Sequence, residues 1–266
     1  MDSSCLKIAA LVAPISGATA IDRRESLASV IAHAPTADLL VLPYQAVSLP
    51  FWTQLDRAQG FACAERPPFK TIELLRPVVV AKGIPTLVST YDVLGEGVFY
   101  ATARLIEKHS EIRTEYRQAH ALNLPDHHER LFFQPGTTGS FPLFDLHGVR
   151  IGMLLGGDLW IPEIARCLAL AGADALICIG AFTGEVESKA RTLAEARSIE
   201  NGIPVFLANR ERDPIAFGPV AADPAIGVDQ GWSTITLPIA KPLDDPLIMR
   251  RPRLYGALAH CEEGAL

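Results

Sequence analysis

Residues 151–163, IGMLLGGDLWIPE, constrain the fold more than any other stretch of the chain. The apolar run up to Leu155 reads as a buried strand, Gly156-Gly157-Asp158 as a sharp turn, and Pro162-Glu163 as a helix start, where proline gives up no needed donor and an acid meets the positive end of the helix. A strand that enters a helix through a tight turn belongs to a layered α/β domain and holds up whatever side chain sits at the bend. Here that position is Gly156, so the segment has the shape of a nucleophile elbow and no nucleophile.

The rest of the chain extends the α/β pattern. Strand-like runs fall at 6–13, 38–43, 84–91, 98–107, 111–117, 141–145, 150–155, 175–179, 204–208 and 233–239. Helix-like stretches fall at 20–34, 71–82, 161–171 and 186–201, the first with Ile21, Leu27, Val30 and Ile31 on its apolar side. Residues 45–68, carrying Phe51, Trp52 and Phe61, are too long for a simple connection and predict a loop or short helices over one end of a sheet. Residues 119–139 form a second irregular stretch. With 266 residues, 49% of them hydrophobic, the chain can bury one large core, and a single domain spanning 1–266 with a C-terminal tail from about 240 is expected.

The formal net charge of -6 is mild and no basic track points to nucleic acid; no apolar run is long enough for a membrane span. A cytoplasmic location and reduced thiols are expected, because the five cysteines at 5, 63, 167, 178 and 261 form no close pairs. Cys178 and Cys167 read as small core residues. There is no Walker A, Gly-x-Ser-x-Gly or Gly-x-Gly-x-x-Gly, which excludes the corresponding nucleotide, serine hydrolase and dinucleotide readings, and no cofactor is implied.

Three segments together resemble the motifs of the nitrilase (carbon-nitrogen hydrolase) superfamily. Residues 38–45, DLLVLPYQ, resemble the strand that ends in Pro-Glu, with Tyr44 at the carboxylate position. Residues 115–120, EYRQAH, resemble Tyr-Arg-Lys-x-His, with Gln118 at the lysine. The elbow resembles the cysteine segment, with Gly156 at the thiol. Glu129, before Phe-Gln-Pro-Gly, matches the auxiliary acid. Arg166, the Ala171-Gly172-Ala173-Asp174 turn, Glu195 to Asn201, Asn209 and Arg253-Leu254-Tyr255 match supporting elements, so the likeness runs over roughly 6–258.

That resemblance implies a four-layer α-β-β-α sandwich, with two mixed sheets facing one another. It also implies a homodimer formed through the helices at 161–171 and 186–201, where Ala165, Ala169, Ala190 and Ala194 allow close approach or else pack on their own sheet. Family chemistry needs a thiolate, a base and an ammonium. Tyr44, Gln118 and Gly156 supply none of them: a phenol is a poor base at neutral pH, and an amide carries no full charge. The expected reading is therefore a catalytically inactive homologue that binds a small amide, nitrile or carboxylate, or an active homologous subunit. Its pocket would be narrow and mostly neutral, bounded by Tyr44, Gln118, Glu129, Gly156, Gly157 and Asp158, with the Tyr44 ring across it. The alternative is a divergent amidase using Glu129 and Asp158 with an activated water, or a metal at the His120/His127/His128 loop. That loop matches no familiar ligand spacing and reads first as polar and solvated, so no metal is expected.

Overall fold

The computed structural model describes residues 4–107, 114–136, 141–218, 226–240 and 245–256. A seven-stranded sheet contains β1 (Ser4–Leu11), β2 (Leu39–Val41), β3 (Thr86–Val93), β4 (Phe99–Ile106), β5 (Thr114–Arg117), β11 (Ile226–Asp229) and β12 (Trp232–Ile239), in the order β11-β12-β1-β2-β3-β4-β5. A five-stranded sheet contains β6 (Leu143–Leu146), β7 (Val149–Leu155), β8 (Ala175–Gly180), β9 (Val205–Asn209) and β10 (Ile215–Phe217), in the order β10-β9-β8-β7-β6. Strands β1, β2 and β3 run parallel, as do β7, β8 and β9; the outer pairings are antiparallel.

The period-two alternation of each strand sorts its side chains into three clusters. Leu39 and Val41 of β2 meet Ile151, Met153 and Leu155 of β7 and Ile177 and Ile179 of β8 between the sheets. Leu40 and the following Leu42 point the other way, to Leu27 and Ile31 of α1 (Ala20–Ala32) and Leu75 and Val79 of α4 (Lys70–Lys82). Leu154, Leu176 and Cys178 pack against Ile164 and Leu168 of α5 (Pro162–Leu170) and Ala190 and Ala194 of α6 (Gly184–Asn201). The result is the α-β-β-α sandwich. Two short helices, α2 (Phe51–Gln54) and α3 (Arg57–Cys63), lie in the aromatic excursion after β2.

Local signals explain the helix ends. Thr19 caps α1, its hydroxyl accepting from the Asp22 amide while Asp22 accepts from the Thr19 amide. Gly202 closes α6 at φ 65°, a left-handed value that disfavours other residues.

Some expectations fail. Ile21 is 63% exposed, because the helix turns Arg23 and Arg24 inward in its place. Cys167 is exposed on α5. Ala165, Ala169, Ala190 and Ala194, by contrast, pack on their own sheet, one of the two arrangements expected of them. Strands β10 and β11 have no counterpart in the sequence reading; residues 111–113 of the expected third hairpin strand lie outside the described residues. Among the described residues no helix is long and apolar enough to cross a membrane.

Candidate functional site

The elbow, the end of β5 and the end of β2 converge. Gly156 follows β7 directly, Gln118 follows β5 directly, and Tyr44 lies three residues beyond β2. The Tyr44 hydroxyl donates to Gln118 Oε1 at 2.7 Å, and Gln118 Nε2 donates to Glu129 Oε2 at 2.7 Å and to the His120 carbonyl at 2.8 Å. Tyr44 and Glu129 are fully buried and Gln118 nearly so. A Cβ placed on Gly156 would stand 2.7 Å from Glu129 Oε1 and 2.9 Å from Gln118 Nε2. Side chains thus reach into the space where a nucleophile's own side chain would begin.

Gly156 sits at φ 44°, in the left-handed region, as a tight strand-to-helix bend requires. Gly157 has a different reason to be glycine, since its Cβ would fall 2.1 Å from the His120 carbonyl oxygen. The turn itself is a 3-10 helix, Gly156–Trp160, held from outside by Arg197 of α6, which donates to the Leu159 and Trp160 carbonyls at 3.3 Å.

Asp158 is the knot of the turn. It accepts from Leu155 N at 3.2 Å, Ala119 N at 3.1 Å, His120 N at 2.8 Å and the Tyr116 hydroxyl at 2.7 Å. Burial lifts its carboxyl above the ordinary 3.8, with the hydrogen bonds from His120, Tyr116 and Leu155 opposing that rise. All its acceptor capacity goes to the fold, so the residue ties the loop after β5 to the elbow and has no lone pair left for an incoming group.

Burial, reinforced by the Glu129 charge, pushes the Tyr44 phenol well above 10. It is a donor and not a base. The Cys178 thiol on β8 is fully buried and likewise pushed well up, by burial first and then by Asp158 and Glu129.

The histidine loop is not a solvated surface. A bridge between Leu124 and His127 folds it back, and His127 is 2% exposed with Nε2 3.2 Å from Glu129 Oε1. That contact lacks hydrogen-bond alignment, and both atoms, like Trp52 Nε1, are buried without a partner. His120 is exposed, with Nδ1 3.4 Å from Asp158 Oδ1. Among the described residues no group of three or more His, Cys, Asp or Glu could hold a metal. Two buried carboxylates, Glu129 and Asp158, stand at this site.

Two further residues contribute, Trp52 from the aromatic stretch at 45–68 and Arg210, which escaped the sequence reading. Trp52 packs edge-on to Tyr44, ring centroids 5.3 Å apart, and closes one side together with Phe51 and Phe133. Arg210, just after β9, donates to the Tyr44 and Gln45 carbonyls at 3.2 and 3.0 Å and so fixes the backbone that carries the phenol. Only its position next to Asn209, whose amide clamps Phe182, hinted at a role.

The carbon-nitrogen hydrolase family profile matches residues 9–230. A protein from Pseudomonas protegens described as a hydrolase in the pqqF 5' region is 30% identical over 185 residues, covering 70% of this chain and 62% of that protein. An N-carbamoylputrescine amidase of Arabidopsis thaliana is 25% identical over 189 residues, covering 67% of this chain and 62% of that protein. The chain therefore spans under two thirds of either relative. An amidase from Nesterenkonia sp. superposes with a TM-score of 0.75 at 24% identity, covering 97% of this chain and 98% of that one. A carbon-nitrogen hydrolase from Helicobacter pylori G27 gives 0.77 at 18%, covering 96% and 98%.

Proposed function

The chain belongs to the carbon-nitrogen hydrolase family, and we propose that within it this protein is a non-catalytic homologue that works by binding and not by cysteine-dependent acyl transfer. The observation that carries this reading is the crowding at the elbow: the Cβ position of Gly156 lies 2.7 Å from a buried carboxylate oxygen and 2.9 Å from a buried amide nitrogen. A tetrahedral intermediate needs an open position beside both a nucleophile and an oxyanion donor. Here the would-be donor, Gln118, is engaged at both ends, and the would-be base is a high-pKa phenol that donates to it.

In this reading the protein acts through its surface, as a homodimer or beside an active subunit, or through a small amide, nitrile or carboxylate held near the former entrance. Leu170 on α5 and Ile199 on α6 are large, apolar and exposed on the helices assigned to pairing.

The test is ammonia release from propionamide and N-carbamoylputrescine, with fluoroacetamide as a covalent probe. Fluoroacetamide leaves its acetamide moiety on the active-site cysteine of a Nesterenkonia amidase variant. No ammonia above buffer and no adduct at Cys178 are expected. Turnover abolished by iodoacetamide would overturn the reading.

A second reading rests on one specific feature, the buried Glu129 Oε1 and His127 Nε2 that face each other without a hydrogen bond. They could share a water and use it as nucleophile on an amide, with Glu129 as base. Turnover that survives iodoacetamide and is lost in Glu129→Gln selects it.

A further inference from the structure

A cavity of about 930 Å³ opens between the first turn of α1, the end of α3 and the Glu65 to Lys70 turn. None of Tyr44, Gln118, Glu129, Gly156 or Asp158 lines it.

Its inner wall carries Arg23, only 4% exposed. The guanidinium donates Nε to the Val47 carbonyl at 2.5 Å and Nη1 to the Gly17 carbonyl at 3.0 Å, while Nη2 has only the Cys63 sulfur at 3.9 Å. Among the described residues no carboxylate pairs with it. A buried cation normally has a counter-charge. Burial pushes the Cys63 thiol up despite the Arg23 charge beside it, so the sulfur stays neutral and does not provide one.

The adjacent charges do not fill the gap. Arg24 and the Thr71 amide and hydroxyl consume Glu65. Arg66 and Lys70, both exposed, add positive charge to the lining, so that Arg23, Arg24, Arg66 and Lys70 stand against Glu65 and Glu73. In a chain of formal net charge -6 this is a local positive concavity. The lining also carries exposed apolar surface: Ile21 is 63% exposed and Phe61 56% exposed, and Phe61 stacks on Phe99 with centroids 5.2 Å apart.

We infer that this cavity binds a small organic anion, a carboxylate or phosphate monoester on an apolar body, with the anionic group drawn toward Arg23 and the apolar body against Phe61 and Ile21. Guanidinium is the side chain suited to such anions, since its donors are planar and it is always charged. The exposed isoleucine in an otherwise amphipathic first turn then has a use, and so does the inward turn of a charged helix residue.

Phenyl phosphate and benzoate serve as probes, with benzyl alcohol as the neutral control and inorganic phosphate as the control without an apolar body. By isothermal titration calorimetry on the full chain, at least one of the two anions should bind at least tenfold more tightly than either control. Which of them does identifies the headgroup. Arg23→Gln and Phe61→Ser should each weaken that binding at least tenfold, while Tyr44→Phe at the elbow site leaves it within twofold. Should Arg23→Gln fail to fold, the exposed double variant Arg66→Glu/Lys70→Glu decides, with the same tenfold loss expected. No binding of either anion at millimolar concentration overturns the inference. Benzyl alcohol binding as tightly as the anions, or affinity unmoved by both the Arg23 and the Arg66/Lys70 variants, overturns it as well.

Discussion

Gly156→Ala adds a single methyl group to the elbow, and its cost can be built from two separate parts. The backbone there has φ 44°, and holding a non-glycine residue in the left-handed region costs about 1–2 kcal/mol. The new Cβ then meets Glu129 Oε1 at 2.7 Å and Gln118 Nε2 at 2.9 Å. Both are ends of flexible side chains, but neither can swing into solvent: Glu129 also accepts from the Leu122 amide at 3.0 Å, and Gln118 accepts from Tyr44. Forcing extra volume into such a packed site costs about 1–3 kcal/mol. The sum is about 2–5 kcal/mol, or roughly 4–20 °C in Tm for a chain of this size at the usual 2–4 °C per kcal/mol.

The control is Gly83→Ala. Gly83 has φ 74°, but nothing lies within 4 Å of its Cβ position, so that substitution isolates the backbone part. Urea unfolding of the two variants should separate them by the crowding term of about 1–3 kcal/mol. In a Glu129→Ala background the Gly156→Ala cost should fall toward the Gly83 value, since the nearer of the two clashes is gone. If Gly156→Ala is no more destabilising than Gly83→Ala, the elbow has free space and the filled-site reasoning is wrong.

Four further outcomes are expected. Tyr44→Phe should lose about 1–2 kcal/mol in urea unfolding, because Gln118 Oε1 is left buried without its donor; a change under 0.3 kcal/mol would show the hydrogen bond to be dispensable. Asp158→Asn should destabilise by about 1–3 kcal/mol although it removes a buried charge, since both oxygens already face donors and an NH2 would oppose one pair of them. Because burial raises the Asp158 pKa above 3.8, the folded state holds its proton more tightly than the unfolded chain, so the stability of the native protein relative to Asp158→Asn should fall as pH rises from 3.8 through the folded pKa; a difference that grows with pH in that window contradicts the sign. Sedimentation equilibrium at micromolar concentration should give twice the 28.7 kDa chain mass, lowered by Ile199→Glu; a 28.7 kDa species alone ends the homodimer proposal.

Much of the sandwich was legible because strands buried on both faces leave long apolar runs and the helices between them carry ordinary caps. The elbow was legible for the same reason, since Gly156-Gly157-Asp158 has few other uses between an apolar strand and Pro162. What the sequence hid are contacts between distant segments. Strand β10 is three half-buried residues set by pairing with β9, too short to show a period. Ile21 and Arg23 exchange their expected places because a cavity, and not the core, faces that turn of α1. His127 looked solvated among polar neighbours, yet the Leu124 bridge turns it under Trp52 and against Glu129.

The side chains gathered at the elbow divide by what they hold. Glu129 and Asp158 hold backbone amides of one segment: Glu129 accepts from Leu122 N, and Asp158 from Ala119 N and His120 N. Deleting either acid would orphan buried donors at about 1–3 kcal/mol each. No backbone amide depends on the side chains at 44, 118 and 156 in that way. Tyr44 donates to Gln118, Gln118 donates to Glu129 and to the His120 carbonyl, and Gly156 has no side chain at all. Acids therefore stand where the loop from Gln118 to Phe133 needs them as acceptors, so a folding role alone is enough to place a carboxylate at Glu129. Glu129→Gln separates the two: a fold-only role predicts loss of stability with nothing to lose in turnover, whereas a catalytic role predicts a measurable amidase activity that disappears with the carboxylate.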